Sequence, residues 1–391
     1  MLSVFVPREV FEEESRVAAT PETVRHYVKA GLAVHVEAGA GHASGFPDPE
    51  YEEAGAQVSG DAKALFGTAD VILKVNPPEM REDLGAHEAD LMKNGALLVS
   101  FLYPAVNPDV AEMLGTRGVV AFAMDLVPRI TRAQKMDALS SQSNLAGYKA
   151  VVIAADHMKK IFPMLMTAAG TIKPVRVVII GAGVAGLQAI ATAKRLGAIV
   201  SVNDVRPAVK EQVESLGGRF IDMPTPEDAE DAGGYAKDLG EDFLAKQRQI
   251  LADHIAQSDA VITTALIPGK PAPRIVSEEM VRGMRPGSVV VDLAAVMGGN
   301  CELTVPGETV TRHDVVIVGE KNLPGMVPFH ASELYARNVL EVVKLNVTEG
   351  ALSIDPADEI NQGSIAVNAP PPPPPEEPTA EEAAPEDPAE P

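Results

Sequence analysis

The chain has 391 residues, 46% of them hydrophobic, with a formal net charge of −22 and one cysteine. That length calls for two domains with sizeable cores, and the acidity argues against nucleic-acid partners and against direct docking or insertion into anionic lipid. The lone Cys301 excludes a disulfide framework and a cysteine-rich metal site, so no metal is expected, and it fits a reducing compartment. The opening MLSVFVPREV reads as a short strand rather than a secretory signal, and no stretch calls for a transmembrane helix.

Over the first 125 residues, apolar runs at 2–6, 33–37, 71–75, 97–101 and 119–122 alternate with helical patterns near 21–31, 60–66, 86–93 and 107–115. Thr20-Pro21 is a helix start and Gly31 a helix stop. Strand–helix alternation at this spacing predicts a parallel, doubly wound α/β sheet. The rhythm breaks at 126–145, LVPRITRAQKMDALSSQSNL, where polar side chains crowd together. From composition alone this is a solvated loop whose Ser and Asn residues cap a long helix at 145–162, which reads as an interdomain connector.

The second domain opens with VRVVIIGAGVAGLQAIATAKRLGAIVSVNDVR, 175–206. An apolar strand leads into Gly181, Gly183 and Gly186, spaced G-x-G-x-x-G, and a helical pattern follows. Gly181 permits the tight turn, Gly183 lets backbone approach a pyrophosphate, and Gly186 lets the helix pack on the strand. The helix N-terminus then offers N–H groups and its positive dipole end to phosphate. A second strand ends at Asp204, where a carboxylate meets adenosine ribose hydroxyls and disfavours a 2′-phosphate; Arg206 is a counter-signal. The reading is NAD(H) rather than NADP(H), with a structural βαβ unit as the plainer alternative.

Beyond Asp204 come a helix near 208–216 and a short run at 219–221. The acidic stretch 222–240, with Tyr235 its one aromatic, reads as a mobile functional loop. A helix near 241–257, strands at 260–263, 288–293 and 315–318, and an amphipathic helix at 330–347 complete the pattern. That last helix is expected to return to the first domain. The expected division is 1–140 completed by about 325–365, a dinucleotide domain at 141–324, and a disordered tail at 366–391. Six consecutive prolines from Pro370 precede seven acids and no base, which cannot bury a core.

The segments PRITRAQKMDALSSQSNLAGYKAV, GAGVAGLQAIATAKRLGA, EQVESLGGRF, AGGYAKDLG, TTALIPGKPAP and GSVVVDLAA carry a resemblance. Over about residues 1–365 the chain resembles the NAD(H)-binding component of the proton-translocating NAD(P) transhydrogenases and, more loosely, alanine dehydrogenase. The resemblance implies two Rossmann-like domains flanking a cleft. It implies that Arg129, Gln134, Asp137 and Ser140 surround the nicotinamide, and that Gly181, Gly183, Val184, Gly186, Asp204, Thr264, Ala265 and Leu266 contact the cofactor. Tyr235 would sit on a loop that closes over it. It further implies a homodimer and hydride exchange with NADP(H) on a separate beta component. A second alpha chain, which spans the membrane, would couple this to proton movement and hold the present chain on the cytoplasmic face of the membrane.

Alanine dehydrogenase differs at informative positions. Arg16 and Lys74 match its substrate-gripping residues, but its catalytic His is Tyr103 here and its catalytic Asp is Val296. Amino-acid oxidation needs a general acid–base group beside the amine carbon, and neither residue supplies one at neutral pH. For Arg16 and Lys74 a structural ion pair is the alternative to a substrate grip. A soluble amino-acid dehydrogenase and a non-catalytic NAD sensor therefore stand as the competing readings.

Overall fold

The computed structural model describes residues 1–223, 241–266 and 271–369; Tyr235 and the Pro/Glu-rich stretch from 370 lie outside them. Two seven-stranded sheets organise the chain. The first runs, in spatial order, Ile365–Val367, Val120–Ala123, Leu97–Ser100, Val71–Leu73, Ser3–Val6, Ala33–Glu37, Gln57–Ser59. All neighbours are parallel except the edge strand Ile365–Val367. Four central strands are buried on both faces, so their sequences, such as LLVS and VIL, show apolar runs rather than alternation.

The second sheet runs Arg219–Phe220, Ile199–Asn203, Arg176–Ile180, Ala260–Thr263, Val289–Asp292, Val315–Val318, Thr309–Arg312. Only the edge strand Thr309–Arg312 is antiparallel. The order reverses at Arg176–Ile180, which has Ile199–Asn203 on one side and Ala260–Thr263 on the other. Both sheets are Rossmann-like, and in such sheets ligands enter at the carboxyl ends of the strands flanking this reversal.

The helix Ala138–His157 joins the two halves. It begins seven residues before the expected position 145 and ends before 162, and the reason lies in its first residues. Asp137 is the N-cap: its Oδ1 accepts from the Ser140 N–H at 2.9 Å and its Oδ2 from the Ser140 hydroxyl at 2.6 Å. Ser140 to Asn144 are therefore the helix's first turns, not a solvated loop. Two of the polar side chains reach the returning segment: Ser141 donates to Asn338 at 2.8 Å, and Gln142 donates to the Ala331 carbonyl at 3.1 Å.

The same helix belongs to two cores. Ala138 packs in the cluster of the first sheet, while Ala146, Ala150, Val151 and Ala154 pack in that of the second. Gly147 makes the crossing possible, because a Cβ there would lie 2.1 Å from the Ala185 carbonyl oxygen on the dinucleotide helix. The returning helix Pro328–Asn346 buries Tyr335, Val339, Leu340, Val342 and Val343 in the first core. After it, Ile365–Val367 completes the first sheet, so ordered structure continues past 366, where the tail was expected to start.

Candidate functional site

Three loops leave adjacent strand ends at the reversal point of the second sheet. The glycine turn follows Ile180, Asp204 follows Asn203, and 264–266 follows Thr263. Gly181 has φ +97°, and a Cβ on it would lie 2.5 Å from the Thr264 hydroxyl. A Cβ on Gly186 would lie 1.9 Å from the Gly181 carbonyl oxygen. Gly183 has nothing within 4 Å of its missing Cβ, so the cradle is open there. The helix Val184–Arg195 starts at Gly183 with no side-chain cap, and Val184 is exposed. Open space over an uncapped helix N-terminus fits a pyrophosphate.

Asp204 stands beside this cradle. Its Oδ2 accepts from the Ala182 N–H at 2.7 Å and from Arg206 Nη2 at 2.9 Å. Its Oδ1 accepts from the Arg206 N–H at 2.8 Å and from Nε at 2.9 Å. Burial alone would raise this carboxyl's pKa, but the hydrogen bonds from Arg206 and Ala182 outweigh it and lower it. Arg206 is 57% exposed, so it can swing away to let ribose hydroxyls reach the acid.

Across the turn, the Thr264 hydroxyl donates to the Ile180 and Gly181 carbonyls at 3.2 and 3.1 Å. Ala265 is gripped by Asn300, and Leu266 is 47% exposed. Asn300 has no motif signature in the sequence, and Asp292, inside the segment GSVVVDLAA, is not singled out there; the fold brings both to this edge.

The expected nicotinamide residues fall into two groups. Asp137 and Ser140 are bonded to each other at the start of the connector helix. Gln134 and Arg129 are exposed, and their side chains bond to no described residue. Gln134 lies on a 3-10 turn, Thr131–Met136, which Asn338 of the returning helix holds by donating to the Lys135 carbonyl at 2.7 Å. Ser140 and Gly147 are seven residues apart, which sets Ser140 about 10 Å along the helix from the contact of Gly147 with Ala185 on the dinucleotide helix.

Arg16 and Lys74 are both held in buried ion pairs. Arg16 is buried, forked on Glu14 at 2.6 and 2.8 Å, and donates to Gln142 at 2.9 Å. Lys74 is fully buried between Glu9 at 3.2 Å and Glu88 at 3.1 Å. Burial would lower the Lys74 pKa, but the two carboxylates push it up to about 12. Tyr103, at φ +46°, stacks on Phe101 with ring centroids 5.7 Å apart. Desolvation of its hydroxyl, reinforced by the Asp125 carboxylate, raises its pKa well beyond neutral pH. Val296 is 58% exposed. Neither position supplies a base. Among the described residues no His, Cys, Asp and Glu group could hold a metal, and no helix is long and apolar enough to cross a membrane.

Comparison with known proteins agrees with this geometry. The family model "Alanine dehydrogenase/PNT, N-terminal domain" matches residues 5–146, and "Alanine dehydrogenase/PNT, C-terminal domain" matches 150–369. The chain is 50% identical over 348 residues to an NAD(P) transhydrogenase alpha-subunit chain of Rhodospirillum rubrum, covering 88% of this chain and 90% of that protein. Alanine dehydrogenase of Bacillus subtilis is 33% identical over 333 residues, covering 83% of this chain and 80% of that protein. The crystal structure of transhydrogenase from Sinorhizobium meliloti superposes with a TM-score of 0.84 at 45% identity, covering 94% of this chain and 99% of that one. The chain belongs to the alanine dehydrogenase/PNT family, with NAD(P) transhydrogenase alpha subunits nearer to it than alanine dehydrogenases.

Proposed function

We propose that this chain is the NAD(H)-binding alpha component of a proton-translocating NAD(P) transhydrogenase. The observation that carries the binding reading is the convergence of the open glycine cradle, Asp204 and the 264–266 loop on three adjacent strand ends. The pyrophosphate lies on the N-terminus of Val184–Arg195, the adenosine ribose on Asp204, and the second nucleotide over 264–266. Arg129, Gln134, Asp137 and Ser140 then orient the nicotinamide, and Tyr235 contacts the bound cofactor. NAD(H), when bound, supplies the hydride chemistry, and this chain's residues bind it and fix its rotation. The other nicotinamide, of NADP(H), is presented by a partner beta component. The chain is a homodimer and sits at the cytoplasmic face of the membrane through a second, membrane-spanning alpha chain, which couples transfer to proton movement.

The alanine dehydrogenase reading is weaker for a specific reason. Its acid–base positions are Tyr103 and Val296, and the guanidinium and ammonium that would grip a substrate are already paired with Glu14, Glu9 and Glu88. The test is to titrate the purified chain with NADH by calorimetry, then mix it with an NADP(H)-binding component from a related assembly and follow hydride transfer by stopped flow. Rapid transfer supports the proposal. Ammonia-dependent oxidation of NADH by pyruvate, without a partner, would replace it with the dehydrogenase.

A further inference from the structure

Asn300 is fully buried, and its side chain is shared between two loops. Its Oδ1 accepts from the Ala265 N–H at 3.0 Å, and its Nδ2 donates to the Ala265 carbonyl at 2.8 Å and the Pro273 carbonyl at 2.9 Å. The amide thus pairs both main-chain groups of Ala265, as a neighbouring strand would. The main-chain carbonyl of Asn300 accepts from the N–H groups of Ile275 and Val276 at 2.8 and 3.0 Å. One residue therefore holds the chain on both sides of 267–270.

Asn300 is itself anchored. The Cys301 N–H donates to Asp292 Oδ2 at 3.0 Å, and Asp292 also accepts from Thr263, Ala294 and Thr304. Gly299 lies between at φ +89°, where a Cβ would meet Asp292 Oδ2 at 2.7 Å. The result is a rigid relay from the end of the strand Val289–Asp292 to Ala265. On its other side, Thr264 is bonded to the glycine turn. Ala265 is fixed from two directions, beside the exposed side chain of Leu266.

We propose that Asn300 is a positioning residue that holds the 264–266 loop against the nicotinamide half of the cofactor. The topology assigns the half. Asp204 and Thr264 leave strands on opposite sides of the glycine turn, so a dinucleotide with its adenosine on Asp204 lays its other half across 264–266. The inference rests on the NAD(H) reading above.

The test uses the full chain with Asn300→Ala and Asn300→Asp. Aspartate keeps the shape and the acceptor but turns an oxygen toward the Ala265 and Pro273 carbonyls. Dissociation constants for AMP and NADH are measured by calorimetry, and single-turnover transfer to NADP⁺ with the partner component. AMP, which reports only the adenosine side, is expected to bind within about twofold of wild type. The affinity advantage of NADH over AMP is expected to shrink about threefold or more, and transfer to slow about tenfold or more, because misplacing a reacting ring is costly. If both ligands weaken by the same factor, or neither the advantage nor the rate changes, the proposal is overturned. Should Asn300→Ala not fold, Asn300→Ser is read by the same criteria. If the wild-type chain binds NADH yet transfers no hydride, the transhydrogenase reading fails, while the NADH-to-AMP ratio still decides the role of Asn300.

Discussion

Both oxygens of Asp204 are filled by the Ala182 N–H and by Arg206, so cofactor choice at this residue depends on which partner Arg206 takes. With NADH, two ribose hydroxyls can replace the exposed guanidinium at small cost. With NADPH, the 2′-phosphate meets the carboxylate directly. NADH is expected to bind at least about tenfold tighter than NADPH, a difference of about 1.4 kcal/mol. In Asp204→Asn that ratio is expected to narrow, because Arg206 is released toward a 2′-phosphate. Equal dissociation constants for NADH and NADPH on the wild-type chain would remove Asp204 as the discriminator. The glycine spacing and this acid were legible in sequence because each answers a local geometric demand. Asn300 was not, because its partners are 35 and 27 residues away.

At the scale of elements, the start of the connector helix has a structural role and a proposed functional one, which mutation can separate. Asp137 caps the helix through Ser140, whereas the Gln134 side chain has no partner among the described residues. Gln134→Ala is therefore expected to slow NADH-to-NADP⁺ transfer about tenfold or more with little change in melting temperature or NADH affinity. Asp137→Ala is expected to lose transfer and also about 1 kcal/mol of stability, because both cap hydrogen bonds to Ser140 are gone. Melting curves and single-turnover rates on both variants check this; a Gln134→Ala chain with normal transfer removes the residue from the site.

Glu14 is the second element-scale device. It accepts from Arg16 at 2.6 and 2.8 Å, from Asn76 at 2.8 Å, and from Asn322 at 3.2 Å, which tethers the first sheet's loops to the segment leading into the returning helix. Burial would raise its pKa, but the Arg16 charge and hydrogen bonds win and lower it from 4.5 to about 2. A depressed carboxyl stabilises the fold above its unfolded value and loses that contribution as pH falls toward 2. The expected contribution at neutral pH is of order 3 kcal/mol. Denaturant melts between pH 5 and pH 2.5 are expected to show a shallower decline for Glu14→Gln than for wild type, from a lower stability at pH 7; parallel curves would sink the linkage.

For the whole molecule, Asn368 ties the last described residues to the first domain: its side chain donates to the carbonyls of Val119 at 2.9 Å and Gly115 at 3.3 Å. The residues beyond it have a composition with almost nothing to bury. A chain ending at Asn368 is expected to keep its melting temperature within about a degree and its NADH affinity within about twofold. Loss of several degrees on calorimetric scanning would show that the tail packs on the body.

Strand–helix alternation, the dinucleotide turn and the returning helix were written in the sequence, since each is a periodicity or a spacing that a short window holds. Other features came only with the tertiary structure. The polar run at 138–144 read as a loop because its side chains are hydrophilic, yet Asp137 caps it and Asn338 and Ala331, nearly 200 residues away, receive its polar groups. Arg16 and Lys74 could have been a substrate grip or ion pairs; burial beside Glu14, Glu9 and Glu88 made them ion pairs. Local chemistry determines which elements form, because its partners lie within a few residues. Which polar groups end as structure and which stay free for a ligand depends on partners that only the folded chain brings within hydrogen-bonding distance.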